Sequence, residues 1–160
     1  MTKIIMKTLI IFTSVHHKNT EKVAKVMAAE LEADVVPTAD AHPDSLGAYD
    51  LIGFGSGIFY GEMHKTLLKY VESLSAVTGK RAFVFSTCGI MWGMGGTKKH
   101  APLKQMLENR GFSVLGDFSC LGWDTVGPLR YVGGINRGRP NARDLENARA
   151  FARRLKEKYA

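Results

Sequence analysis

The stretch that most constrains this chain is residues 8–31, TLIIFTSVHHKNTEKVAKVMAAEL. Leu9-Ile10-Ile11-Phe12 is a short unbroken apolar run, the pattern of a strand covered on both faces, and it stops at the small hydroxylated residues Thr13 and Ser14. Asn19 and Thr20 are good helix-capping residues, Glu21 falls in the first turn, and Val23, Met27 and Leu31 recur every four positions as one apolar stripe. The unit reads as strand, polar turn, helix. A helix that starts at the carboxyl end of a buried strand gathers unpaired backbone N–H groups and positive dipole. Here the turn adds the hydroxyls of Thr13, Ser14 and Thr20, the amide of Asn19 and the cation of Lys18. Those groups suit a phosphate.

The remainder repeats the alternation. Residues 34–36 form a brief strand closed by Pro37, followed by a turn-rich connection over 38–47. Residues 51–54 are a second buried-type strand ending in Gly55-Ser56-Gly57, and helical spacing returns at Leu67, Leu68, Val71 and Leu74. Residues 82–85 make a further central strand, closed by Ser86-Thr87-Cys88-Gly89, and a glycine-rich loop over 89–97 leads into a helix carrying Leu103, Met106 and Leu107. The last strand is expected as two pieces, 113–115 and 118–121, broken at Gly116. A long loop over 122–140 then precedes a final helix capped by Asn141, with Leu145, Ala148, Ala152, Leu155 and Tyr159 as its buried stripe. Strict alternation of strands and helices predicts an α/β domain over 1–160 with a doubly wound parallel sheet. Ligands of such sheets bind outside the carboxyl ends of the strands. Three loops at those ends, 13–20, 55–63 and 86–97, are therefore expected to converge on one ligand.

Composition narrows the classes. At 160 residues and 45% hydrophobic the chain can bury a proper core. No apolar run approaches the roughly 18 residues of a membrane span, and the N-terminal run is too short for a secretory signal, so a cytoplasmic protein is expected. Cys88 and Cys120 are the two cysteines and form no CxxC motif, so redox chemistry would come from a cofactor. The net charge of +7 is concentrated late, in Arg130, Arg137, Arg139, Arg143, Arg149, Arg153, Arg154, Lys156 and Lys158. It reads first as a solvated helix face and next as a surface for an acidic partner. No recognition module accompanies it to suggest nucleic acid.

In the second loop, GSGIFYGEM, Phe59 and Tyr60 stand between Gly57 and Gly61, so rings can project over a flat ligand while the glycines permit close backbone approach. The third loop, STCGIMWGMGG, offers Trp92 as a stacking surface and the backbone of Thr87, Cys88 and Gly89 for a polar edge. Cys88 reads as a small buried residue rather than a nucleophile. His16 and His17 are adjacent and lack cysteine or acidic ligands at helpful spacing, so polar contact in the phosphate loop is expected and a metal is not. Glu62 and Asp124 have the chemistry for acid–base work but no partner assignable from sequence.

With a phosphate loop followed by two aromatic, glycine-rich loops, the chain resembles the flavodoxin family of FMN-binding proteins along nearly its whole length. The most specific element is Ser14 followed by Asn19-Thr20-Glu21 after a buried strand. Lys18 stands where the common loop has glycine, and Val15-His16-His17 lengthens the turn. The resemblance implies a five-stranded sheet of order 2-1-3-4-5. It also implies FMN phosphate on Thr13, Ser14, His16, Lys18, Asn19 and Thr20, the flavin ring beside Ile58, Phe59, Tyr60 and Gly61, and its other edge on Thr87, Cys88, Gly89 and Trp92. The function implied is FMN-dependent electron transfer with a redox partner protein. An FMN-dependent NAD(P)H oxidoreductase and a non-redox module for another phosphorylated ligand are the alternatives.

Overall fold

A computed structural model describes residues 5–89 and 96–160. Its elements in chain order are β1 (Thr8–Thr13), α1 (Asn19–Leu31), β2 (Asp34–Pro37), β3 (Leu51–Phe59), β4 (Glu62–Met63), α2 (Lys65–Glu72), β5 (Arg81–Cys88), α3 (Ala101–Asn109), β6 (Ser113–Leu121) and α4 (Ala142–Tyr159). The main path of the sheet runs β2-β1-β3-β5-β6, and every pairing along it is parallel. The two-residue β4 is a hairpin appended antiparallel to the end of β3. Numbering the five long strands alone gives the expected order 2-1-3-4-5.

Side-chain alternation explains why both faces need helices. On β1, Ile10 and Phe12 enter one core with Phe83 and Phe85 of β5, while Leu9 and Ile11 enter the other with Ile52, Phe54, Ala82 and Val84. Helices α1 and α4 cover the first face through Val23, Met27, Ala148 and Ala152. The opposite face receives α2 and α3 through Leu67, Val71, Leu103 and Leu107. Gly53 and Gly55 of β3 sit beside Phe83 and Phe85 in register, and a Cβ at either would overlap the neighbouring ring. These glycines make room for the aromatic layer of the next strand.

Three boundaries differ from expectation. Strand β3 continues to Phe59 instead of stopping at Phe54, because Gly55, Ser56 and Gly57 stay paired to Phe85, Ser86 and Thr87. Strand β6 passes unbroken through Gly116, and the irregularity there is absorbed as a register shift between Ala82 and Val84. The N-cap of α1 is Lys18 rather than Asn19 or Thr20; His17 and Lys18 both have left-handed backbone, with φ of 54° and 55°. That turn sends Asn19 inward as the first helical residue.

Candidate functional site

The carboxyl ends of β1, β3, β5 and β6 open onto one cleft with about 370 Å³ of space, counting that which merges with solvent. Ser14, Val15, His16, Asn19 and Thr20 line it from the first loop, Gly57, Ile58 and Phe59 from the second, Thr87, Cys88 and Gly89 from the third, and Gly122, Trp123, Asp124 and Val126 from the fourth. Described residues of all three loops singled out from sequence line it, and a fourth segment joins them.

The first loop supplies the polar wall. Ser14 Oγ accepts from Glu21 N at 3.4 Å, and Asn19 N reaches His16 O at 3.4 Å, so the opening turn of α1 keeps its N–H groups in long, weak bonds. Thr20 and Thr87 share a buried hydroxyl–hydroxyl bond of 2.9 Å that ties α1 to β5. Asn19 donates from Nδ2 to Trp123 O at 2.8 Å, while its Oδ1 is buried without a partner among the described residues. A buried amide oxygen left this way costs free energy unless something donates to it, and a hydroxylated ligand in the cleft would do so.

The aromatic wall differs in detail from the sequence reading. Phe59 lines the cleft, with His16 and His64 rings 5.9 and 5.3 Å away. Burial, followed by the neighbouring His16, lowers the His64 pKa, consistent with its Nδ1 accepting from Thr66 N. Tyr60 is 90% exposed. It and Gly61 have φ of 50° and 81° and make the two-residue hairpin turn joining Phe59 to Glu62, and neither lines the cleft. Thr13 is engaged with Thr38, hydroxyl to hydroxyl at 2.7 Å, and Lys18 is exposed. Trp92 lies outside the described residues.

The ring that sequence reasoning missed is Trp123. His17 stacks on it at 3.6 Å and 19°, the Arg137 guanidinium lies 5.5 Å from its centroid, and its Nε1 donates to Gly133 O. The signal was present: Leu121-Gly122-Trp123-Asp124 directly follows the last strand, at a fourth carboxyl end. Gly122 is required there because a Cβ would press on the Asn19 amide. Asp124 lines the cleft and also has structural partners. Its Oδ1 accepts from Val126 N at 2.8 Å, its backbone bridges Ile135, and a Cβ on Gly89 would meet its carboxyl group. Asn136 Nδ2 donates to Gly89 O, and His17 bonds Thr125 at 2.9 Å. The late loop thus stitches the first loop to the third.

Burial pushes the Cys88 thiol up; a hydrogen bond with Ser119 acts against this, and Asp124 adds to it. That argues against a resting thiolate nucleophile. Among the described residues no three His, Cys, Asp or Glu side chains gather as a metal site, and no helix is long and apolar enough to cross a membrane.

Known proteins share both sequence and architecture with this chain. An uncharacterized protein of Methanocaldococcus jannaschii is 43% identical over 150 residues, covering 94% of this chain and 98% of the relative. A flavodoxin from the domain Archaea superposes with a TM-score of 0.72 at 19% identity, covering 96% of this chain and 98% of that one. Oxidised flavodoxin 2 of Bacillus cereus gives 0.73 at 20% identity, with 96% and 99% covered. Rubredoxin oxygen:oxidoreductase of Desulfovibrio gigas gives 0.65 at 17% identity, matching 96% of this chain but 37% of that longer one. These structural likenesses establish the fold. A flavodoxin-domain family model matches residues 9–129, from β1 through the beginning of the late loop, and with that match the chain belongs to the flavodoxin family of FMN-binding redox proteins.

Proposed function

We propose that the cleft holds FMN and that the chain is an electron carrier. The observation that supports this most is the polar mouth formed by Ser14, Asn19 and Thr20 at the start of α1, whose opening N–H groups are held only in long bonds; Asn19 Oδ1, an acceptor without a partner among the described residues, suits a ligand hydroxyl. In this reading Ser14, Thr20 and the first N–H groups of α1, that of Asn19 among them, bind the phosphate, with Lys18 next to them in the chain. Ile58 and Phe59 bear on the ring, and Thr87, Cys88 and Gly89 border its polar edge. When bound, FMN supplies the one- or two-electron chemistry. The chain's residues bind and orient it and limit water at its buried side.

The second reading is an FMN-dependent NAD(P)H oxidoreductase, which would require cations to grip nucleotide phosphates beside the flavin. Arg139 is unsuited, since its guanidinium is held by Asp144. Arg130 lies over Tyr131 and Arg137 over Trp123, the latter at the cleft, so those two are the candidates. Mixing the anaerobic FMN-loaded protein with excess NADH or NADPH in a stopped-flow instrument distinguishes the readings. A carrier keeps its oxidised flavin spectrum until a separate reductase is added. Rapid bleaching by either nucleotide, lost in Arg130→Ala/Arg137→Ala, would make the chain an oxidoreductase.

A further inference from the structure

One buried polar network remains outside the polar wall of the cleft. On β5, Val84, Ser86 and Cys88 share a face, and on β6 Asp117 and Ser119 pair with Val84 and Ser86 in register. Alternation therefore aligns four polar side chains in what is otherwise the apolar face covered by α2 and α3. His100, just before α3, enters them with no exposed surface. Its Nδ1 lies 2.9 Å from Asp117 Oδ2 and its Nε2 lies 2.7 Å from Ser86 Oγ. Ser86 Oγ is 2.9 Å from Ser119 Oγ, which is 3.8 Å from Cys88 Sγ. The string ends at the cleft, because Cys88 lines it. Ser86 is also fully buried, so an Asp–His–Ser arrangement here cannot meet a substrate and is not a hydrolytic triad.

We propose that His100 is a positioning residue whose proton sets the direction of this string and thereby the hydrogen-bonding state of Cys88 in the cleft. Neutral His100, donating from Nδ1 to Asp117, accepts at Nε2 from Ser86; Ser86 accepts from Ser119, and Ser119 accepts from the Cys88 thiol. Protonated His100 donates at both nitrogens. Ser86 must then accept from Nε2 and donate to Ser119, and Ser119 donates to Cys88 Sγ. A single proton on His100 reverses every hydroxyl and turns Cys88 from donor to Ser119 into acceptor from it, leaving its S–H to Cys120 O, 3.8 Å away. The charged groups facing His100 are Asp117 on β6 and, 3.8 Å behind that carboxylate, Lys104 on α3. Glu62 of β4 lies with Lys98 and Lys99 at the outer rim of the same segment. The string does not require the cleft to hold FMN, and the test is made without flavin.

The rate of Cys88 alkylation by iodoacetamide is measured from about pH 5 to 9 by peptide mapping, alongside the His100 imidazole titration followed by NMR. Thiolate attack alone gives a line of unit slope in log rate against pH. Donation from Ser119 favours the thiolate, so the points below the His100 titration should lie about threefold or more above the line extrapolated from higher pH. The step should coincide with the NMR midpoint and vanish in Ser119→Ala, which cuts the string while leaving the His100–Asp117 and His100–Ser86 bonds. His100→Gln should also remove it. If His100→Gln fails to fold, Ser119→Ala alone decides. A straight profile in the parent chain, a step away from the His100 midpoint, or a step that survives Ser119→Ala would overturn the proposal. Failure of FMN to bind would overturn the function proposed above and leave this result standing.

Discussion

Asn19 divides its amide between two tasks, holding Trp123 O with Nδ2 and leaving Oδ1 buried without a partner among the described residues, while Ser14 offers its hydroxyl at the start of the same helix. If these groups hold a phosphate-bearing ligand, Ser14→Ala removes a hydrogen bond to a charged group, worth about 1.5–3 kcal/mol, or roughly ten- to a hundredfold in FMN affinity, whereas Asn19→Leu removes the acceptor that Oδ1 offers to a ligand hydroxyl. Riboflavin, which lacks the phosphate, should bind more weakly to the parent and respond little to Ser14→Ala. Fluorescence titration with both ligands is the check, and equal losses for the two would remove the phosphate from this loop. Thr20 is a poorer test position, because its loss also strands the Thr87 hydroxyl in the core. At this scale the sequence was a good guide to residue chemistry and a weaker one to direction. Hydroxyl and amide types after β1 pointed to an anion site, but only the left-handed turn at His17 and Lys18 decides that Asn19 turns inward and Lys18 outward. Likewise, Phe59 and Tyr60 look equivalent in sequence, and the hairpin turn sends them to opposite environments.

Elements were legible where periodicity is strong and obscure where glycine intervenes. The apolar runs of β1 and β5 announce strands, whereas Gly53, Gly55 and Gly57 conceal that β3 is nine residues long. The role of Gly53 and Gly55 becomes visible only with β5 alongside, since Phe83 and Phe85 occupy the space their side chains would need, while a Cβ on Gly57 would meet the Phe59 ring of its own strand. Gly53→Ala or Gly55→Ala should therefore overpack the sheet and cost about 1–3 kcal/mol, read as a lower urea midpoint at unchanged slope. A neutral result would mean that the rings can move aside. The start of α4 yields a second prediction. Asn141 and Asp144 form a reciprocal capping box, and Arg139 adds a two-pronged pair to the Asp144 carboxylate. Burial raises the Asp144 pKa, but the bonds from Arg139 and the Asn141 N–H outweigh it and hold the carboxyl below its ordinary value. A depressed carboxyl contributes stability that is complete above its unfolded pKa of about 3.9 and is lost as pH falls through the lower folded value. Asp144→Ala should cost about 2 kcal/mol at neutral pH. The difference from the parent should shrink in urea titrations run at successively lower pH through the acid limb, and a constant difference would show that the carboxylate's charge is not what stabilises the cap.

For the whole molecule, what matters is where the charge of +7 sits once the chain is folded. Part of the late basic excess is paired internally: Arg139 with Asp144, Arg149 with Glu146, Arg153 with Glu30 and Lys156 with Glu32. Those pairs fasten α4 to the late loop, to the end of α1 or to itself and contribute little to any partner. Arg130 and Arg137 are placed differently, over Tyr131 and Trp123 in the loop that borders the cleft. Tyr131 and Val132, both 77% exposed, lie next to them in that loop. Sequence alone could count these cations but could not separate the two groups, because the partners of Arg153 and Lys156 come from residues more than a hundred positions away. If the chain passes electrons to an acidic protein, steering should come from Arg130 and Arg137 rather than from α4. The association rate should then fall steeply between about 0.05 and 0.5 M salt, as exposed charges more than a Debye length apart are screened. Arg130→Ala/Arg137→Ala should flatten that dependence, while Arg153→Ala/Lys156→Ala should leave it unchanged. Stopped-flow reoxidation of the reduced FMN-loaded protein by an acidic acceptor such as a rubredoxin or ferredoxin supplies the measurement. A salt dependence unaffected by the first pair and lost with the second would move the docking surface from the cleft rim to the outer face of α4.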